Sequence, residues 1–240
     1  MKYISIVLAG LATFAASASK PKYGNEITLL SKSHEYVQKN ASPDYWALSP
    51  YYVGQRTDSS CSIAVASAIV NGARANRNMK STDDLATHAG VLKRLNDGFL
   101  EKNVAHGGDG ITLDQMKNVI ENSLKIYDVG DFVVKEYRTP VPSKSVAQEL
   151  HDKLVENEKS SRNFIIANFI QGILTGDAMI GHFAAIGAYD AQSKRVLIMD
   201  PDREWYEPYW VSEETLLKAM SKSDKAAPNG RGYLFIQLDK

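Results

Sequence analysis

Cys61 is the one cysteine in a chain of 240 residues, and its setting suits a nucleophile. Turn-favouring Asp58, Ser59 and Ser60 precede it. The small apolar run Ile63, Ala64, Ala66, Ser67, Ile69 and Val70 follows at helical spacing. Ser59 or Ser60 is the predicted N-cap, which puts Cys61 in the first helical turn, and Asn71-Gly72 loosens the far end. At that position unpaired backbone N–H groups and the positive end of the helix dipole favour a sulfur anion. Gln55 lies on the loop leading in, where a side-chain amide could donate to a developing oxyanion. A lone cysteine is more often a small buried hydrophobe, so the chemistry also requires a base and a group to orient it.

There are five histidines. His34 lies in a polar arm. His88 and His151 fall on amphipathic helices among charged neighbours, where a solvated face is expected. His106 precedes Gly107-Gly108 in a loop and is the competitor for the role of base. His182 opens an apolar strand straight after Gly181, at the rim of a sheet, where a ring can face a cleft. Asp200 ends the next strand, before Pro201. With 190–194 as the turn of a hairpin, Asp200 comes to lie beside His182. A carboxylate there fixes the imidazole tautomer and steadies the imidazolium. The order cysteine, histidine, aspartate, with helix first and sheet second, is that of papain-like enzymes.

The elements that must hold these groups are readable in outline. Residues 19–50 form an N-terminal arm with a short helix within 29–37. A helix over 82–96 is capped by Thr82, with Leu85, Ala89, Leu92 and Leu95 as its apolar stripe. A glycine-rich loop covers 97–111, and Thr112 with Gln115 forms the capping box of another helix. Helices are predicted over 145–158 and 212–220. Strands are predicted over 132–137, 163–170, 182–189, 195–199, 209–211 and 232–238. Helices before strands argue for an α+β fold with an antiparallel sheet. With 44% hydrophobic and 23% charged residues in balance, the composition is that of a soluble globular domain and points to no nucleic-acid or polybasic membrane partner. A single cysteine makes no internal disulfide and no cysteine-rich metal cluster. Met1-Lys2, the apolar run over 3–16 and Ala16-Ser17-Ala18 read as a signal peptide over 1–18. Residues 19–240 then form the catalytic domain of an exported protein, periplasmic or secreted.

The chain resembles the catalytic domain of phytochelatin synthases. The resemblance is carried, in order, by Gly110-Ile-Thr-Leu113, Asn163-Phe-Ile-Ile-Ala-Asn168, Gly181-His182 with its strand to Ala188-Tyr189, and Leu197-Ile-Met-Asp200 with Arg203. Trp210-Val211, Lys218-Ala-Met220 and Arg231-Gly232 continue it. It implies a papain-like fold with Cys61 as nucleophile, His182 as base, Asp200 as orienter and Gln55 in the oxyanion hole. It implies glutathione as substrate, attacked at its Cys–Gly bond to release glycine and leave a γ-glutamylcysteinyl thioester. Asp224 and Arg231 would clamp the α-amino and α-carboxylate groups of the γ-linked glutamyl end. Gly181 and Arg203 join the substrate-binding set, Arg203 as a support rather than a contact of the acyl group. The aromatic and glycine that flank the family's cysteine are Ser60 and Ser62 here. Plant-type members carry a cysteine-rich C-terminal extension linked to metal sensing. This sequence runs to Lys240 without a second cysteine, so hydrolysis to γ-Glu-Cys is expected over polymer synthesis. No cofactor is required for acylation, and a heavy-metal ion such as Cd or Zn enters as the thiolate complex of glutathione.

Two other readings use the same residues. Bacteriocin-processing peptidases, which cut after double-glycine leaders, share a Gln before the Cys, a strand-borne His and an Asp-Pro step, but have no use for a zwitterion clamp. A non-catalytic exported protein could hold a soft metal through Cys61 and His182, although one thiolate and scattered histidines give poor ligand spacing. The partners expected are glutathione and, at most, a second copy of the chain as a homodimer. No nucleic acid and no stable membrane anchor are expected.

Overall fold

Strands with apolar residues on both faces need cover on both sides, and the strand Asn163–Ile170 is buried along its whole length. In the computed structural model, which describes residues 22–239 apart from 76 and 229, that strand lies near the middle of a seven-stranded antiparallel sheet. In chain order come β1 (Thr28–Leu29), α1 (Glu35–Lys39), α2 (Pro43–Leu48), α3 (Cys61–Arg74), α4 (His88–Leu95), α5 (Gly98–Asn103) and α6 (Leu113–Ile126). Then follow β2 (Phe132–Arg138), α7 (Lys144–Glu158), β3 (Asn163–Ile170), α8 (Gln171–Thr175) and β4 (Gly181–Asp190). The chain closes with β5 (Arg195–Met199), β6 (Tyr209–Ser212), α9 (Glu213–Met220) and β7 (Gly232–Leu238). The sheet order is β1-β6-β5-β4-β3-β7-β2. The fold is α+β, and the signal peptide expected over 1–18 lies outside the described residues.

The two-residue period of β3 divides the core. Phe164 and Ile166 meet Ile63, Ile69, Met116 and Ile120 of α3 and α6 on one face. Ile165, Ala167 and Phe169 meet Leu150, Leu154, Leu216 and Met220 of α7 and α9 on the other. Helices therefore cover both sides of the sheet, where the sequence pattern suggested only a helical half followed by a sheet half. Helix α3 is buried on nearly every side, beyond the single apolar face expected of it. Its small residues allow that depth: a Cβ on Gly72 would stand 2.8 Å from Leu48 of α2.

Asn71-Gly72 does not loosen α3, which runs on to Arg74. The Asn71 amide instead pairs with both backbone groups of Ala86, accepting from its N–H and donating to its carbonyl, each at 2.8 Å. Arg74 holds the carbonyl of Asp84. These bonds keep the segment before α4 out of helix, so α4 starts at His88 under a Thr87 cap instead of at Thr82. Leu85 is consequently exposed, and His88 is buried with Nε2 unpartnered instead of solvated. Burial, with Arg56 nearby, lowers the His88 pKa. His151 is also half-buried, bonded to Glu213 and Tyr189. Within the expected glycine-rich loop, Asp97 accepts the amides of Phe99 and Leu100 and starts α5. The expected Thr112/Gln115 capping box is present at α6.

Asp44 on α2 is buried against Asn157, with Oδ1 unpartnered. Burial raises its pKa well above the usual carboxylate range, against the opposing hydrogen bond from Asn157. A raised folded pKa means a contribution to stability that is present at acid pH and lost as pH rises through that pKa. Asp44→Asn is therefore expected to gain about 1–3 kcal/mol at pH 8, with the gain closing towards pH 4. Thermal melts at the two pH values check this, and an equal gap at both would count against it.

Candidate active site

Local bonds fix the start of α3. Ser60 is its N-cap residue, but the hydroxyl turns back into the loop and accepts the amides of Arg56 and Thr57 at 3.0 and 2.9 Å. Thr57 and Ser59 donate to the carbonyls of Val104 and Gly108, both at 2.6 Å. Asp58 accepts the amide of Gly107 at 2.9 Å. The loop is thus tied down on both sides, and Cys61 stands as the first helical residue, 9% exposed.

Facing it is the rim of the sheet. His182 is the second residue of β4, and the β4–β5 hairpin register pairs Ala185 with Met199. Asp200, one step beyond, therefore falls beside the ring, with His182 Nε2 at 2.7 Å from Asp200 Oδ1. The carboxylate also accepts the Asp202 amide on Oδ1 and the Tyr209 hydroxyl on Oδ2, both at 3.0 Å. With Nε2 engaged, Nδ1 is the ring nitrogen left for the Cys61 sulfur, which is near enough to contribute to the raised His182 pKa. Phe169 packs edge-on against the imidazole at 5.7 Å. The Asn168 side chain donates to the His182 carbonyl at 3.0 Å.

Burial alone would lower the His182 pKa. The charge and hydrogen bond of Asp200, with the Cys61 sulfur behind them, override it and lift the pKa well above its usual value. Burial likewise opposes ionisation of Asp200. The His182 charge, its hydrogen bond and the Asp202 and Tyr209 donors outweigh that and leave its pKa lowered. Both shifts favour the imidazolium–carboxylate form of the pair.

Cys61 lines a cleft of about 940 Å³ together with Asn168, Gly181, Asp224 and Arg231. Arg231 is buried, donates to Asp224 Oδ2 at 2.6 Å and holds the Lys222 carbonyl at 2.9 Å. Its guanidinium lies so close over β4 that a Cβ on Gly181 would meet Nη2 at 2.9 Å. Gly181 is therefore a requirement of the arginine's position.

Arg203 and Gln55 both bond the Pro201 carbonyl through their backbone N–H groups, next to Asp200. Arg203 lies 4.8 Å over the Tyr52 ring and donates to the Tyr206 carbonyl at 3.0 Å, while the Tyr52 hydroxyl donates to the Asp200 carbonyl. It braces the Asp200 corner and is not part of the cleft wall. Gln55 is anchored to the same corner, its backbone N–H donating to the Pro201 carbonyl at 2.7 Å, and its side-chain Oε1 is buried and unpartnered. His106 is exposed and pairs with Asp58. Among the described residues no three His, Cys, Asp or Glu side chains gather as a metal site. Sequence reasoning missed Tyr52 and Tyr209 as the supports of Asp200. The signal available for Tyr209 was an aromatic at the start of the strand beside the hairpin.

The phytochelatin synthase family description matches residues 22–233, almost all of the described chain. The chain belongs to the phytochelatin synthase family. Among curated proteins it is similar to glutathione gamma-glutamylcysteinyltransferase 3 of Lotus japonicus, 33% identical over 96 residues, 39% of this chain and 19% of that protein. It is 30% identical over 103 residues to transferase 1 of Arabidopsis thaliana, 43% of this chain and 20% of that protein. The Schizosaccharomyces pombe transferase is 29% identical over 134 residues, 54% of this chain and 28% of that protein. The matched stretches thus span only 19% to 28% of these relatives' length.

Proposed function

We propose that the protein is a papain-like cysteine acyltransferase that acts on glutathione. The observation that carries this reading is the pairing of buried Arg231 with exposed Asp224, both lining the same cleft as Cys61. A γ-linked glutamyl group ends in an α-carboxylate and an α-ammonium, and a guanidinium beside a carboxylate complements both. Membership of the phytochelatin synthase family supports the same substrate.

In this reading Cys61 Sγ attacks the Cys–Gly carbonyl, and the Gln55 amide donates to the oxyanion. The C–N bond breaks as the His182 imidazolium gives its proton to the departing glycine nitrogen. The thioester so formed is γ-glutamylcysteinyl-Cys61. Neutral His182 then takes a proton from water, the oxygen adds to the thioester carbonyl, and γ-Glu-Cys leaves as the thiol is restored. A second glutathione in place of water gives the transpeptidation product, and hydrolysis is the main course. Asp200 holds the ring throughout. No cofactor enters the acylation, and a Cd or Zn ion enters only with the thiolate of glutathione. The site is that of an exported enzyme whose leader, residues 1–18, is removed.

Brief exposure to glutathione followed by intact mass measurement tests this. A gain equal to γ-Glu-Cys on Cys61, with free glycine, is the expected result, and no adduct and no glycine would defeat it. Asp224→Asn is expected to raise KM for glutathione about tenfold or more with kcat less affected, because a charge partner of the ammonium is removed. An unchanged KM would move the glutamyl end elsewhere.

A further inference from the structure

Two segments bring His182 and Asp200 to the sheet rim. The stretch from α8 to Gly181 leads into His182, and the corner after β5 carries Asp200. Residues 22–24 of the N-terminal arm lie across both. The Gly24 N–H donates to the Leu174 carbonyl of α8 at 3.1 Å, and a Cβ on Gly24 would meet that oxygen at 2.8 Å. The Lys22 ammonium stands 5.6 Å over the Trp205 ring and 5.5 Å over that of Tyr206. Between these two anchors, Tyr23 packs edge-on against Tyr206 at 5.6 Å and against Tyr209 at 6.0 Å.

Both of those rings are tied to the site. Tyr206 donates to Asp177, in the loop before Gly181, at 2.7 Å. Tyr209 donates to Asp200 Oδ2 at 3.0 Å. Tyr209 and Asp200 are each 0% exposed, so their bond is made without competing water. A bond of this kind is strong while the site stays dry, and its aim is set by the packing of the ring that carries the donor. The donors to the Asp200 side chain are His182, Asp202 and Tyr209. Tyr23 therefore reaches the carboxylate through its packing on Tyr209 and not through its own hydroxyl.

We propose that Tyr23 is a positioning residue for acyl transfer: its ring holds Tyr209 against Asp200, keeps water from that bond, and so keeps the carboxylate aimed at His182. The inference rests on the acyl-transfer reading above and adds no bond-making step to it. The glutamyl clamp is held independently, Arg231 being bonded to the carbonyls of Met220 and Lys222.

Glycine release from glutathione by Tyr23→Ala and Tyr23→Phe tests this, at a temperature where melts show each variant folded. In Tyr23→Ala kcat should fall about tenfold, the cost of a loosened catalytic geometry, with KM changed less than about twofold. Tyr23→Phe keeps the ring and should keep the native kcat. Tyr23→Leu, which fills more of the space than alanine, is carried alongside with the same direction expected. A ring needed for stability alone would lower the melting temperature and leave the kcat of the folded protein in place. In a Tyr209→Phe background the bond to Asp200 is already gone, so Tyr23→Ala should there change kcat less than about twofold. An unchanged kcat in Tyr23→Ala and Tyr23→Leu, a loss in Tyr23→Phe equal to that in Tyr23→Ala, or a full loss persisting beside Tyr209→Phe overturns the proposal. Failure of the acyl-transfer reading shows differently, as no glycine released by the native protein, and takes this inference with it.

Discussion

Cys61→Ala is expected to abolish release of glycine from glutathione, with a fall in turnover of at least about 10⁴-fold. The size follows from what is lost. Without the sulfur there is no acyl-enzyme, and His182 and Asp200 alone would have to deliver water to an unactivated amide. Folding should survive the change. Cys61 is the first residue of α3, alanine is a good helix former, and the loop before it is held by Ser60, Thr57 and Ser59, none of which needs the thiol. The stability change should stay within about 1 kcal/mol. Cys61→Ser should be equally inactive, since its hydroxyl fits the space but ionises too weakly to attack. Glycine release by mass spectrometry, beside thermal melts of the three proteins, reads both quantities. An alanine variant that still releases glycine at more than a hundredth of the normal rate would remove the thioester from the mechanism.

Much of the framework was legible because it is local. The β4–β5 hairpin follows from two apolar runs around a polar turn, and it alone brings Asp200 beside His182. The Thr112 capping box and the position of Cys61 at a helix tip are likewise written within a few neighbouring residues. What escaped depends on contacts between distant segments. The start of α4 was misread because Asn71, fifteen positions earlier, holds the backbone of Ala86. His88 was misread with it, since moving the helix start turns the ring inward. Arg203, expected as a support, packs on Tyr52, which precedes α3. The small residues of α3 were legible as one buried face, but their depth between α2, α6 and the sheet was not, because alanine and serine suit a partly exposed helix equally well.

Asp200→Asn should lower kcat by about 10²–10⁴-fold while nearly preserving shape. The carboxylate accepts three bonds, from His182, Asp202 and Tyr209. An asparagine has one acceptor atom and one NH₂ group, so one of those donors must meet a donor. If the NH₂ meets His182, Nε2 becomes the acceptor and the ring proton moves to Nδ1, the nitrogen needed to take a proton from the sulfur. The pH dependence should change sign with it. In the native protein the His182 pKa is raised and that of Asp200 lowered. The pair therefore stabilises the fold between them, its contribution being lost on the alkaline side as His182 gives up its proton and on the acid side as Asp200 gains one. Without the carboxylate charge, burial is the dominant influence on His182 and drives its pKa below the unfolded value. The variant should then lose stability as pH falls from about 7 to 5, where the unfolded chain binds a proton that the folded one refuses. The alkaline limb of its residual activity should move to lower pH for the same reason. Melts at pH 5 and 8 with a kcat profile across that range read both effects. A variant whose alkaline limb stays in place would mean that Asp200 positions the ring without setting its charge.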